Sequence, residues 1–360
     1  MRAARILLVC LVSFLAADLL VFHTRVYRSV VKPDSTAGLV ESILSAEITR
    51  PVHDRNQVIM VGDSRMGFFP RVSDAMLPEL GYTFRTIGVA GSSPRCWYYL
   101  LREVDPTKRR YAAVVVPVEN YEDAETSEDY SLRIVDLNYL SGVLRWGDTW
   151  EFVTSYHDPQ LRLQALRGLL LRGVVYKRDF DDFITAPGQR IYDVGYYGPN
   201  AANWRYAYNG EGDSLKDVHV DFKTGSVTGP PEIMAAHGVG LRVRYLDPAP
   251  RSEGRESEYL RHWLTKICDY YRDSGTRVIF IRLARGAFVR PDQPAMNPSS
   301  SVRELSKRPG VVLAPEHLFE DLERPDLFRD EVHFNGPGEQ RFTVELAREV
   351  RELLGAPHAF

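Results

Sequence analysis

The run Val58-Ile59-Met60-Val61-Gly62-Asp63-Ser64-Arg65-Met66 decides the fold. An apolar stretch of strand character ends in a glycine, an acid and a serine. From Gly67 the chain reads as a turn into a helix. The serine therefore falls at the carboxyl end of a strand, in the crevice where open α/β sheets bind ligands. A helix amino terminus close by favours developing negative charge. Ser64 is a candidate nucleophile, and it needs a histidine, an acid and oxyanion donors from elsewhere in the chain.

Working outward, Tyr82 to Val89 reads as a second strand, followed by Ala90-Gly91-Ser92-Ser93-Pro94. Ser93 with Pro94 is a helix-entry signature, and the helix should run from about Arg95 to Glu103. Tyr111 to Val118 is a third strand whose unbroken apolar centre suits a parallel strand covered on both faces. It leads into Glu119-Asn120-Tyr121. The pattern resumes with a helix from Glu256 to Tyr271, a strand from Thr276 to Leu283 and a short strand from Val311 to Leu313. A helix from Pro337 to Leu354 closes it, with Phe342, Leu346, Val350 and Leu353 on one face. Alternating strands and helices predict an α/β fold with a parallel sheet.

The stretch 121–255 is too long for an ordinary connection and should fold as an insertion, mainly helix and loop. Leu132 to Tyr176 reads as helical hairpins packed by Leu161, Leu163, Leu166, Leu169, Leu170 and Leu171. Arg190 to Tyr208 is rich in aromatic residues. Tyr192, Tyr196, Tyr197, Trp204, Tyr206 and Tyr208 could line a groove for sugar, although packing is the commoner task of such side chains. Gly210 to Pro231 reads as exposed loop.

At the amino terminus, Arg2 and Arg5 precede an apolar run from Ile6 to Phe22. Its length is near the lower limit for a membrane span. A cleaved signal would need a small residue where Leu15 stands, and the apolar stretch continues past that point. An uncleaved signal anchor is the favoured reading; a cleaved signal and a buried helix are the alternatives. Asp18 is a cost, close enough to one end to reach the interface. Basic residues on both flanks leave orientation open. The expected organisation is an anchor and juxtamembrane segment (1–32), a linker (33–55) and an α/β domain in two halves (56–120 and 256–360) around the insertion.

Composition narrows the function. The chain has 360 residues, 44% hydrophobic and 26% charged, with net charge −3, which gives no electrostatic case for nucleic acid. Cys10, Cys96 and Cys268 make no disulfide framework. No metal-ligand spacing occurs, and no metal or cofactor is expected. Asp330-Glu331-Val332-His333 supplies the missing partners: a carboxylate and an imidazole three residues apart can meet on a tight turn. His333 would take the Ser64 proton, and Asp330 would fix the tautomer. The Ser64 N–H, the Gly91 N–H and the Asn120 side chain are the candidate oxyanion donors, each following a predicted strand. Arg65 is a further candidate for substrate contact.

These residues resemble the GDSL or SGNH hydrolase superfamily, named for Ser, Gly, Asn and His in separate blocks. Gly62-Asp63-Ser64 matches the first block, with Arg65 in place of leucine. Gly91 matches the second. The third keeps only Asn120, and Asp330 with His333 matches the last. The resemblance covers roughly Gln57 to Asn120 and Glu256 to Leu354. It implies a flavodoxin-like three-layer sandwich. The apolar amino terminus and the Asp-x-x-His-Phe-Asn-x-x-Gly ending are similar to exported proteins that modify polysaccharides, of the alginate O-acetylation and teichoic acid D-alanylation types. That resemblance implies O-acylation of a cell-surface or exported polysaccharide, beside a multi-spanning membrane O-acyltransferase. The alternatives are a carbohydrate esterase, a lipase-like or thioesterase-like hydrolase, and a non-catalytic glycan-binding assembly protein.

Overall fold

The computed structural model describes residues 2–51, 56–66, 80–119, 134–198, 214–246, 255–291 and 301–355. The chain opens with helices α1 (Arg2–Phe22), α2 (Arg25–Arg28) and α3 (Thr36–Thr49). Then come β1 (Gln57–Met60), β2 (Thr83–Thr86), α4 (Pro94–Val104) and β3 (Ala113–Glu119). A helical stretch follows: α5 (Asp136–Leu140), α6 (Thr149–Thr154), α7 (Pro159–Leu170), α8 (Arg172–Val175), α9 (Lys177–Thr185) and α10 (Pro187–Tyr197). The last part holds β4 (His219–Asp221), β5 (Ser226–Thr228), α11 (Pro231–Tyr245), α12 (Arg255–Tyr270), β6 (Arg277–Leu283), α13 (Ser301–Leu305), β7 (Val311–Leu313) and α14 (Gly336–Leu354).

These elements form two compact units. One is helical and joins Met1–Arg50 to Ser131–Arg205; the other holds the sheet and joins Pro51–Tyr130 to Tyr206–Phe360. The stretch 121–255 is divided between the units, and α3, in the expected linker, belongs to the helical one.

In the sheet unit, five strands run in the order β2-β1-β3-β6-β7, all neighbours parallel. In chain order of these strands that is 2-1-3-4-5, a doubly wound arrangement whose direction reverses beside β1. Val58, Met60, Ala113, Val115, Ile279 and Ile281 join one core cluster with Phe342, Leu346 and Val350 of α14. The alternate residues Ile59, Val114, Val116, Val278 and Phe280 are buried as well. Because strand side chains alternate, they point to the opposite face. The sheet is thus covered on both sides, which is why its strands read as unbroken apolar runs. Cys96 and Cys268 are buried and in no disulfide. Residues 214–231 are not an exposed loop. They carry an antiparallel hairpin, β4 with β5, whose Val218 and Val220 enter the sheet unit's core together with Leu215. Three-residue strands give too little alternation to be read from sequence.

In the helical unit, Tyr27, Val31 and Tyr176 form a core with Phe22, Phe180 and Phe183 packed against it. Asp179 is its polar hub, accepting from the Tyr27 hydroxyl at 2.5 Å, the Lys32 N–H at 3.1 Å and Arg190 Nη1 at 2.9 Å. Helix α1 is long and apolar enough to cross a membrane, with a mean hydropathy of 2.4 over its best window and only 6% of that window buried. Asp18 is buried within the helical unit. It is 6% exposed, and its carboxylate accepts the N–H groups of Arg172 and Gly173 at 3.1 and 2.8 Å. An acid in an apolar helix is costly unless partnered, and here its partners are the first N–H groups of α8. The leucines of α7 also differ from expectation: only Leu169 is buried, whereas Leu163 is 67% and Leu170 is 49% exposed.

Candidate active site

The nucleophile candidate stands where β1 ends. The Val61 N–H reaches the Val115 carbonyl at 3.1 Å, and the Val89 N–H reaches the Gly62 carbonyl at 2.9 Å, so both neighbouring strands hold the chain past the strand end. Gly62 then turns it at φ +146°, a backbone region essentially reserved for glycine. A Cβ at this position would lie 2.5 Å from Met66 Cγ and 3.1 Å from Pro117 Cγ. Ser64 opens a single 3-10 turn, Ser64–Met66. Asp63 braces that turn: its Oδ1 accepts the Arg65 N–H at 2.9 Å, and its Oδ2 accepts Arg65 Nη2 at 2.8 Å. Burial opposes ionisation of Asp63, but the Arg65 charge and hydrogen bonds outweigh it and hold the carboxyl below its usual range. Gly62→Ala is expected to destabilise the sheet unit by about 2–3 kcal/mol, from strain plus crowding, and to lower any turnover further by shifting Ser64. Thermal melts of variant and wild type, compared with activity per folded molecule, check both parts.

The second half of the site is a turn before α14. The Arg329 N–H donates to the His333 carbonyl at 3.0 Å, and Phe328 bridges to Phe334. Within this turn Asp330 Oδ1 accepts the N–H groups of Val332 at 3.0 Å and His333 at 2.8 Å. An aspartate binding the backbone two and three residues on is a common turn device. Here the same carboxylate also lies 2.9 and 3.0 Å from His333 Nδ1. Asn335 caps α14 by accepting the Gly338 N–H and ties the turn back through its amide to the Asp326 carbonyl. With Nδ1–H directed at Asp330, Nε2 is left as an acceptor, and it lies 2.7 Å from Ser64 Oγ. Ser64, His333 and Asp330 are therefore brought into one hydrogen-bonded line.

Burial raises the Asp330 pKa, but the hydrogen bond and charge of His333 and the two backbone N–H groups together bring it down to about 2. A carboxyl depressed in the folded state contributes stability above its unfolded value, and that stability is lost as pH falls through the folded one. The turn is thus expected to lose about 2 kcal/mol of stability between about pH 4 and pH 2. Asp330→Asn should abolish that portion of the acid dependence while keeping the turn, since an amide oxygen accepts the same N–H groups. It should also lower turnover by about 10⁴-fold through loss of the tautomer lock. Acid melts and rate assays on this variant test the two roles separately.

Around this line, Ser92 and Trp97 clamp the serine loop: Ser92 Oγ donates to the Gly62 carbonyl and accepts from Trp97 Nε1, each at 2.9 Å. Gly91 sits in the turn closed by the Ser92 N–H on the Val89 carbonyl, at φ +68°. It is adjacent in sequence to a residue bonded to Gly62, so the second block lies against the first. Arg65, Leu283, Ala284, Val332, Phe334 and Phe342 line a small hollow beside Ser64 and His333, about 10 Å³ in volume.

The remaining expected residues fall into two groups. Asn120, Trp204, Tyr206 and Tyr208 lie outside the described residues. Tyr192, Tyr196 and Tyr197 are exposed on α10, which belongs to the helical unit, with the rings of Tyr192 and Tyr196 stacked. Sequence reasoning missed Tyr245. Its hydroxyl donates to the Glu331 carbonyl at 2.6 Å and accepts the Ala287 N–H at 2.8 Å, pinning the histidine turn to the segment after β6. Burial pushes the Tyr245 phenol well up, so it stays a neutral donor. No local signal marks it, because its partners lie 86 and 42 residues away. A scan against protein-family models finds no match to this chain, and a search of curated proteins finds no significant relative.

Proposed function

We propose that the protein is a membrane-anchored serine enzyme of the SGNH type that passes a short acyl group through an ester on Ser64. The observation carrying this reading is the 2.7 Å contact of Ser64 Oγ with His333 Nε2, with Asp330 on the other ring nitrogen. His333 takes the Ser64 proton as Oγ attacks the acyl carbonyl. It returns that proton to the departing oxygen, leaving an acyl-Ser64 ester. An acceptor hydroxyl then gives its proton to His333 and attacks the ester, and serine is regenerated. The hollow beside Ser64, lined by Leu283, Ala284, Phe334 and Phe342 together with Arg65 and Glu339, is too small to take a long acyl chain. The acceptor is a hydroxyl of a cell-surface or exported polysaccharide, with the catalytic unit outside the cytoplasm. The resemblance of the apolar amino terminus and the Asp-x-x-His-Phe-Asn-x-x-Gly ending to exported polysaccharide-modifying proteins supports this, and it adds a donor route through a multi-spanning membrane O-acyltransferase. A second reading, hydrolysis, is favoured by the 22% exposure of the His333 side chain, which lets water reach the base.

The anchor is retained in this reading. Asp18 and Phe22 of α1 are bonded or packed into the helical unit, so cleavage of α1 would strip that unit of core contacts. The test is mass spectrometry of the full chain incubated with activated acyl esters. An acyl mass increment on Ser64 is the expected result. Adding candidate glycans then separates acyl-glycan from free acid. No increment with any donor, in a protein that remains folded, overturns the enzymatic reading.

A further inference from the structure

The helical unit turns an apolar surface outward around the end of α1. The His23 ring, just past α1, stacks on Trp146 with centroids 4.8 Å apart and planes 7° apart. Trp146 is nevertheless 55% exposed, and Trp150, one turn on, is 78% exposed. Helix α8 starts on the Asp18 carboxylate and packs against both α1 and α7. It carries Val174, 40% exposed, while α7 shows Leu163 and Leu170 with the exposed Arg167 between them at helical spacing. On α1 itself, Leu15, Leu19 and Leu20 are 44, 47 and 65% exposed up to this junction.

Soluble surfaces seldom carry so large a run of apolar side chains without a partner. Tryptophan suits the membrane-water interface, and arginine can extend its head to the water while its stem lies on apolar surface. The buried Asp18 contacts fix the patch to the end of the very helix that enters the bilayer. We propose that this face of the helical unit, with Trp146, Trp150, Leu163, Leu170 and Val174, rests in the headgroup layer of the membrane that α1 spans. The unit is then held by surface contact as well as by its tether. This rests on the reading of α1 as a retained anchor.

The test uses the full chain reconstituted into phosphatidylcholine and phosphatidylglycerol vesicles, with and without lipids brominated close to the headgroup. Tryptophan emission should be quenched by the brominated lipid. With Trp204 replaced by Phe in both proteins, the Trp146→Phe/Trp150→Phe variant should lose about half or more of the quenchable part, since Trp97 and Trp263 are 6% and 0% exposed. Retention of the protein after alkaline carbonate washing reports on the anchor separately. Three results overturn the proposal. Emission quenched by acrylamide but not by lipid would mean that the two tryptophans face water. Emission insensitive to both would mean that a second copy of the chain covers them. A protein washed off by carbonate would end the anchor reading, and this inference with it.

Discussion

Ser64→Ala is expected to lower turnover by about 10⁴–10⁶-fold, His333→Ala by a similar factor, and the double variant by no more than either single one. The non-additivity is the informative part. The serine and imidazole act as one unit, because Nε2 has no proton to take once Oγ is gone, and Oγ has no base once the ring is gone. A rate loss that summed over the two variants would mean that they act independently, and the triad would fail. The acyl increment on position 64 should vanish in Ser64→Ala. Stability should hardly change in that variant, because Ser64 is only partly buried and its removal strands no fully buried group. A non-catalytic assembly protein predicts the opposite pattern, with glycan retention undiminished by either change and no adduct in the wild type.

The second large effect falls on stability. Glu323→Ala is expected to cost about 3–5 kcal/mol, enough to lower the thermal midpoint of the sheet unit by roughly 10 °C. Arg282, near the end of β6, is 0% exposed, and its Nη1 lies 2.6 Å from Glu323 Oε1. Arg285 brings its backbone N–H to the same oxygen at 2.8 Å and its guanidinium to both oxygens. The Glu323 side chain is 2% exposed. Removing it takes the carboxylate from the buried Arg282 and leaves Arg285 only the more distant and more exposed Glu320, at 3.7 Å, so most of the desolvation cost is no longer offset. Glu323→Asp should recover part of the loss by keeping the charge at a shorter reach. Leu283 and Ala284, which lie between the two arginines, line the hollow beside Ser64. Turnover measured well below the midpoint should therefore fall as well. A midpoint shift of only one or two degrees would mean that water enters the network, and the site would not depend on it.

Much of the frame was legible because its signals are local. The unbroken apolar runs at Val58 to Val61 and Tyr111 to Val118 reflect burial on both faces, and each became a strand within a residue or two of expectation. The periodic apolar face of α14 and the Ser93-Pro94 helix entry were read for the same reason. Where local pattern carried no information, the reading failed. The β4–β5 hairpin is too short to alternate. The leucine-rich α7 looked like packing, yet Leu163 and Leu170 stand outside the unit's core. Asp18 looked like a charge at the wrong place, since its partners stand 154 and 155 residues away.

The candidate site divides along the same line. Asp330 and His333 are three residues apart, so chain geometry alone suggested their meeting. Ser64 and His333 are separated by 269 residues. The sequence by itself determined which residue types end which strands, the parallel character of the sheet, the spacing of Asp330 and His333 on one turn and an amino-terminal helix apolar enough for a bilayer. Only the tertiary structure decided that the serine loop and the histidine turn close to hydrogen-bonding distance, that Tyr245 braces the histidine turn and Glu323 the segment after β6, and that α5 to α10 belong to a separate helical unit. The physical reason is that burial and turn chemistry act over a few residues and leave their period in the sequence. The pairing of buried polar groups depends on the path of the whole chain, and nothing local records that path.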